Sequence, residues 1–435
     1  MPLTHSERRA TDREILRLAV PAFAALVAEP LFLLTDYAIV GRLGTGAVGA
    51  LSVAGTIMAT IVNVCVFLAY GTTAAVARQV GAGNHRQAVQ RGMDGLWLAA
   101  AIGVAVVAVC WPLAPGLVRL IDAPPEVTAD AITYLRISLV GTPMMLIVLA
   151  GTGVLRGLQD TVTPLVVSVG GFALNAGLNA WFVLGLGWGL AGSAWGTVLA
   201  QTLAAGAYLI VVVRGARRMG ASLRPDPVGI KASGTAGIAL LIRTVCLRIV
   251  LVAATVIAAR MGVAEVAAHG ITTQLWTLLA FALDAIAIAG QALTGKLLGA
   301  GDVVGARQVT GRMVLWGVGG GVLLGLIVIG CRPLVPGIFH AEPAVAAHLG
   351  AMLWVVAAFQ PVSGVVFVLD GVLIGAGDQR YLAWAGAITT VTYLPFALMA
   401  GSLVGLWLAF GVWMLARLVT LGLRARGDAW MVSGA

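Results

Sequence analysis

The sequence predicts an all-α membrane protein in which twelve transmembrane helices form two pseudo-symmetric six-helix bundles. Three observations predict this fold. Apolar residues occupy 60% of the 435 positions and charged residues only 10%, whereas an ordinary soluble domain has about 25% charged residues. About twelve apolar windows are each long enough to cross a bilayer. The second half of the chain also repeats the pattern of the first half.

The twelve windows are the predicted helices. A membrane-spanning helix needs about 20 mainly apolar residues. Short polar or Gly/Pro-containing breaks separate the windows, and no stretch outside them is long enough to form a soluble domain. The alternating pattern of a membrane barrel is absent, so we interpret each window as a helix. The windows lie near 15–40, 50–75, 93–115, 131–154, 163–185, 191–213, 237–259, 266–292, 313–331, 346–370, 381–400 and 404–423.

Basic residues at the helix ends predict the orientation. With the N-terminus in the cytoplasm, about 22 of the 27 Lys and Arg residues fall on the cytoplasmic side, as the positive-inside rule requires. The net charge of +9 follows from this pattern and does not indicate nucleic-acid binding. The first window lacks a signal-peptide cleavage site. We therefore expect a multi-pass protein of the cell (inner, cytoplasmic) membrane with both termini cytoplasmic.

An internal repeat relates the two halves of the chain. A shift of 218 residues lays Pro125 on Pro343 and the segment GVLRGLQD (153–160) on GVLIGAGD (371–378). This register holds over about 130 residues. Such paired repeats are typical of transporters.

Six windows in each half give the halves the same orientation, related by an axis along the membrane normal. We expect an N-terminal bundle over 1–213, a cytoplasmic linker over 214–234 and a C-terminal bundle over 235–435. Transporters of this kind bind their substrate between or within the two repeats. The architecture therefore favours a carrier.

Asp36 is a carboxylate inside the first window, in the segment LLTDYAIVG. An acid at membrane depth costs about 2.5 to 3.5 kcal/mol on insertion scales and marks a functional site. The repeat places Ala254 at the equivalent position, so the shared fold does not require an acid there. We interpret Asp36 as a proton site. The alternative is a structural ion pair or hydrogen bond, for example with Arg42.

Two asparagines accompany Asp36 in the N-terminal half. Asn175 and Asn179 lie four residues apart in the fifth window and share one helix face. They can therefore meet Asp36, and Thr197 of the sixth window can join them. The alternative is a set of polar contacts that only holds the helices together.

Glu29 lies two helical turns before Asp36 and precedes Pro30. It either extends a proton path or bonds a neighbouring helix. Pro21 and Pro30 each remove an intrahelical hydrogen bond and can kink the first helix.

Secondary candidates occur in the C-terminal half. Asp284 lies inside the eighth window and Asp370 near the cytoplasmic end of the tenth. Both are ionisable groups in apolar surroundings. His269 has no partner at metal-ligand spacing and predicts an ordinary buried histidine.

Catalytic and metal chemistry find no support in the sequence. The segments GAGNHR and GAGDVV lack the Gly-Lys-Ser/Thr ending that holds nucleotide phosphate and magnesium. No nucleophile motif is present, and the four cysteines stand singly. We expect no enzyme activity, no metal site and no cofactor.

Several segments together resemble one family. They are LAVPAFAALVAEPLFLLTDYAIVGRLG in the first window, QVGAGNHRQA after the second, GVLRGLQDTVTP before the fifth, NAGLNAWFVLGLGWGLAGSAWGT across the fifth and sixth, and FVLDGVLIGAGDQR at the end of the tenth. They resemble the multidrug and toxic compound extrusion (MATE) transporters, in the DinF-like branch.

The resemblance implies two six-helix bundles around a V-shaped cavity, and export of organic compounds in exchange for H+ or Na+. It also implies that Asp36 is the cation-coupling residue. Some relatives carry an aspartate where this chain has Asn179. The amide weakens a Na+ site, so H+ is favoured as the coupling ion.

We therefore expect a secondary active multidrug efflux transporter, a proton antiporter for hydrophobic or cationic organic compounds. The alternatives are a Na+-coupled MATE exporter, a lipid-linked precursor flippase of the same superfamily, and a non-transporting membrane receptor or scaffold. A flippase for anionic head groups would need several Arg or Lys residues in the middle of the spans, where we expect almost none. The expected partners are small organic substrates and membrane lipids, with no nucleic acid, and the protein is expected to be a monomer.

Overall fold

The computed structural model describes residues 5–121 and 124–434 and is almost entirely helical there, with no β-strand. Fifteen α-helices follow one another along these residues. They are α1 (His5–Val40), α2 (Thr45–Cys65), α3 (Phe67–Gly81), α4 (His85–Leu120), α5 (Pro125–Val140), α6 (Thr142–Gly157), α7 (Val162–Ala180), α8 (Gly189–Arg218), α9 (Pro227–Met261), α10 (Val263–Gly299), α11 (Val303–Cys331), α12 (Val335–Ile338), α13 (Pro343–Gly375), α14 (Gln379–Leu398) and α15 (Leu403–Arg426).

Eleven helices or joined helices of the described chain are long and apolar enough to span a bilayer. A twelfth span results if α5 and α6 count as one, because they meet at a bend of 49°. Pro143 stands at the start of α6 and cannot continue the hydrogen bonding of the preceding turn. The predicted helical membrane fold is confirmed, and the window at 131–154 proves to be this bent pair.

The helix boundaries repeat at the predicted shift of 218 residues. Thr45, His85 and Pro125 begin α2, α4 and α5, and their counterparts Val263, Val303 and Pro343 begin α10, α11 and α13.

The left-handed backbone positions repeat at the same shift. Gly83 has φ 75° and Gly301 has φ 76°, and Gln159 has φ 62° where Gly377 has φ 76°. These residues follow helix ends, where a left-handed residue satisfies the last carbonyl groups.

The chain forms two compact units. One contains Ala24–Gly237. The other contains the residues from Ile238 onward together with the N-terminal residues as far as Phe23. The division of the chain at 213 and 234, and the superposition of the two bundles, stay predictions.

The first turns of α1 belong to the second of these units. There Asp12 accepts two hydrogen bonds from Arg312, at 2.7 and 2.6 Å, and one from the Trp316 indole at 2.8 Å. The polar N-terminal sequence is therefore partly helical and ion-paired.

Small residues allow the helices to approach closely in both units. In the first unit, Ala50, Ala54, Ala131 and Ala194 lie in one buried cluster that joins α2, α5 and α8. In the second, a Cβ atom at Gly317 of α11 would lie 2.6 Å from the carbonyl oxygen of Gly364 in α13. Such contacts are typical of helix packing in membranes.

Candidate functional site

Asp36 is buried in the unit Ala24–Gly237, with 5% of its surface exposed. Two neutral groups donate hydrogen bonds to its Oδ1 atom. Asn179 Nδ2 of α7 lies at 2.7 Å and Ser193 Oγ of α8 at 2.8 Å. The carboxylate therefore joins α1 to α7 and α8.

The asparagine pair extends this contact as a relay. Asn179 Nδ2 also donates to Asn175 Oδ1 at 2.8 Å, and Asn175 Nδ2 donates to Thr197 Oγ1 at 3.1 Å. The i, i+4 spacing places both amides on one face of α7. A change of protonation at Asp36 can therefore reach Thr197 through two amide groups.

Tyr134 of α5 completes the enclosure. Its side chain is 6% exposed, and its hydroxyl lies beside Ser193 and Thr197, near the charge of Asp36. Four helices thus surround the carboxylate.

Gly196 lets α8 approach α7 at this point. A Cβ atom there would collide with Oδ1 of Asn179. That oxygen is buried and has no hydrogen-bond partner in the described chain. The amide is therefore held with its nitrogen toward Asp36 and its oxygen against Gly196.

No basic side chain of the described residues forms an ion pair with Asp36. Arg42 is exposed and does not provide the structural ion pair that was the alternative interpretation. A buried carboxylate without a counter-ion is costly in its charged form. Uptake of a proton removes this cost.

The structure brings together four of the predicted site residues, Asp36, Asn175, Asn179 and Thr197. Glu29 lies on α1 with an exposed side chain and takes no part in this network. Pro21 and Pro30 both lie inside α1, which is one continuous helix.

The secondary candidates in the C-terminal half lie apart from this network. Asp284 is half-buried on α10. Asp370 is 7% exposed and forms ion pairs with Arg243 and with Arg417, whose Nη2 lies 3.4 Å from Asp370 Oδ2. Both arginines lie inside predicted spans, so the expectation of almost no basic residue there was wrong. Asp370 is enclosed by these arginines and is not the partly hydrated group that its place near a helix end suggested.

Comparison with known proteins identifies the family. The MatE family model matches residues 21–181 and 240–399, once in each half of the chain. The chain belongs to the MatE family. Members of this family are transporters and not enzymes, so the resemblance drawn from the sequence is confirmed.

Relatives of this MatE chain occur in plants and bacteria. Protein DETOXIFICATION 44, chloroplastic, of Arabidopsis thaliana is 28% identical over 93% of this chain and 80% of its own length. DNA damage-inducible protein F of Escherichia coli (strain K12) is 27% identical over 95% and 91%. The chain is therefore a multi-pass membrane transporter of the multidrug and toxin efflux type.

Solved structures share the fold. A MATE transporter in the bent conformation superposes with a TM-score of 0.88 at 21% identity, over 96% of this chain and 95% of that one. A mutant of the Vibrio cholerae MATE transporter VcmN gives a TM-score of 0.87 at 20% identity, over 98% and 99%.

Sequence reasoning missed Ser193 and Tyr134. A serine or a tyrosine is common in an apolar span and gives no signal alone. Ser193 precedes Thr197 by four residues, so both lie on one face of α8. That spacing could have identified it.

Proposed function

We propose that this MatE chain exports organic compounds in exchange for protons and that Asp36 carries the coupling proton. The observation that supports the proposal is the buried carboxylate, which receives two neutral hydrogen bonds and no ion pair from the described residues. Intramembrane acids of this kind are functional by default.

The network around Asp36 gives its two protonation states different structures. When ionised, Asp36 accepts from both Asn179 and Ser193. When protonated, it loses its charge and becomes a donor, so the Asn179 amide must release it or turn. Because Asn179 also holds Asn175, the change extends along α7 toward Thr197. The bundle can then bind a compound with different affinity in the two states.

Such a difference in affinity is what an ion gradient needs to drive transport. A proton can shift the protein between two states only as far as it binds them unequally. By reciprocity, a compound that favours the ionised state releases the proton when it binds. Exchange of one for the other follows.

The donor set supports H+ over Na+ as the coupling ion. A hard cation is held by several oxygen ligands. Asn179 presents its nitrogen to Asp36 and its oxygen to Gly196, and the Ser193 hydroxyl donates its hydrogen to the same carboxylate oxygen. These groups stabilise an anion and do not form a cage of oxygens.

The flippase alternative receives little support from the buried arginines. Arg243 and Arg417 both contact Asp370, so their charges are engaged within the C-terminal bundle. A receptor or scaffold would need no enclosed acid without a counter-ion. We also propose the cytoplasmic location of both termini, which the distribution of basic residues supports.

Reconstitution into proteoliposomes tests the proposal. Efflux of a fluorescent organic cation is followed under an imposed H+ gradient and, separately, under an imposed Na+ gradient. Efflux that responds only to the H+ gradient is expected. Efflux driven by Na+ alone would favour the Na+-coupled exporter, and binding without efflux under either gradient would favour a receptor.

A further inference from the structure

A small aromatic pocket lies within the C-terminal unit, between α9, α10 and α15. Its walls include Trp276 of α10 and Trp407 and Phe410 of α15. Trp276 meets Phe410 edge to face with ring centroids 5.1 Å apart, and Trp407 lies 5.4 Å from the same ring. Ala254 of α9 and His269 of α10 complete the lining used here.

Two polar atoms of this lining have no hydrogen-bond partner. They are Nε1 of Trp407 and Nδ1 of His269, in residues that are 5% and 4% exposed. The other ring nitrogen of His269 lies 3.4 Å from the hydroxyls of Thr255 and Thr273. Buried polar groups are almost always paired, so each exception needs an explanation.

Two further unpaired groups extend the same cluster. Trp413 is 4.9 Å from the Phe410 ring and Tyr393 is 6.5 Å from Trp413. The Trp413 indole nitrogen and the Tyr393 hydroxyl are also buried without a partner. Indole N–H groups are donors only, so the cluster offers hydrogen-bond donors among flat rings.

The internal repeat relates this pocket to the site around Asp36. Ala254, which lines the pocket, is the counterpart of Asp36 at the shift of 218 residues, and Tyr393 is the counterpart of Asn175. The carboxylate of one half is thus replaced by a methyl group in the other. The pocket lining contains no acid.

We propose that this pocket binds the flat, uncharged aromatic ring of an organic compound that carries a hydrogen-bond acceptor, such as a ring nitrogen. The rings of Trp276, Trp407 and Phe410 provide stacking and edge contacts, and the Trp407 N–H donates to the acceptor. The inference rests on the proposed function only in that the bound compound is an exported one. Binding itself is tested without any gradient.

Quinoline and naphthalene provide a matched pair of probes, because they have the same shape and only quinoline has a ring nitrogen. The full-length protein, labelled with ¹⁵N at its 12 tryptophans, is titrated with each compound, and the indole N–H resonances are followed by NMR. Quinoline should shift the Trp407 resonance downfield with saturation. Naphthalene should bind about tenfold more weakly, because the N–H then stays unpaired.

Three variants complete the test. Trp407→Phe keeps a ring but removes the donor, assigns the resonance and should weaken quinoline binding about tenfold. Ala254→Leu fills the pocket and should abolish the shift. Trp384→Phe is the control, because Trp384 is 72% exposed and far from the lining in sequence; it should leave binding unchanged.

Three results would overturn the inference. They are the absence of a saturable shift of Trp407, which would mean that water alone occupies the pocket, equal affinities for quinoline and naphthalene, and unchanged quinoline binding in Ala254→Leu. The result is independent of the transport assay. Loss of proton coupling with intact quinoline binding would refute the proposed function and leave this site in place.

Discussion

Replacement of Asp36 by asparagine should preserve the fold and abolish proton-driven export. The amide oxygen can take the place of Oδ1 and still accept from Asn179 and Ser193, which lie at 2.7 and 2.8 Å. Loss of the charge weakens these two hydrogen bonds by about 1 kcal/mol each.

The same change removes a burial cost of about 2.5 to 3.5 kcal/mol. The two effects nearly cancel, so the free energy of unfolding should rise by about 1 kcal/mol or stay the same. Thermal unfolding of purified Asp36→Asn should therefore begin at or above the wild-type temperature.

Transport should respond in the opposite way. A pH difference of one unit corresponds to about 1.4 kcal/mol per proton and can sustain about a tenfold concentration ratio of a compound exchanged one for one. Because an amide does not titrate, Asp36→Asn should sustain a ratio of about one.

The assay measures the concentration ratio reached in proteoliposomes under an imposed pH gradient, with thermal unfolding measured on the same preparation. Asp130→Asn is the matched control, because Asp130 is an exposed carboxylate of α5 in the same bundle. It should transport like the wild type. A stable Asp36→Asn protein that still builds the wild-type ratio would refute the reasoning.

Three other predictions follow from the same structure. Gly196→Ala should push the Asn179 amide away and reduce export at least tenfold, whereas Gly206→Ala, which adds a methyl group to open space on the same helix, should keep activity and gain up to about 1 kcal/mol of stability; equal activity of the two variants would contradict the packing argument. Asn175→Ala and Asn179→Ala should each lower export more than expression, measured by efflux and by membrane yield, and unchanged efflux in both would leave the pair a purely structural contact. Ser222→Cys in the linker should resist a membrane-impermeant thiol reagent added to intact cells, and rapid labelling would invert the topology.

Much of the fold could be predicted because its signals are local or periodic. Long apolar windows predict helices, and the equal spacing of Pro125 and Pro343 predicts the repeat. The bend after α5 could not be read in the same way, since Pro143 lies at a bend while its counterpart Pro361 lies inside the unbroken α13. Neighbouring helices decide whether such a proline breaks its helix.

The site was predictable where one helix face carried several polar groups. Asn175 and Asn179 share a face, and Asp36 stands where the repeat has alanine. The bonds from Ser193 to Asp36 and from Arg243 to Asp370 join residues 157 and 127 positions apart. No local pattern encodes such pairs, because they depend on which helices become neighbours.

The most direct test of Asp36 as the coupling residue is a count of the protons released when a transported compound binds. Purified protein in weakly buffered detergent solution is mixed with the compound over a range of pH, and a pH indicator records the release. The wild type should release up to about one proton for each compound bound, and Asp36→Asn should bind the compound with no release. Wild-type binding without proton release, or equal release from Asp36→Asn, would contradict the account.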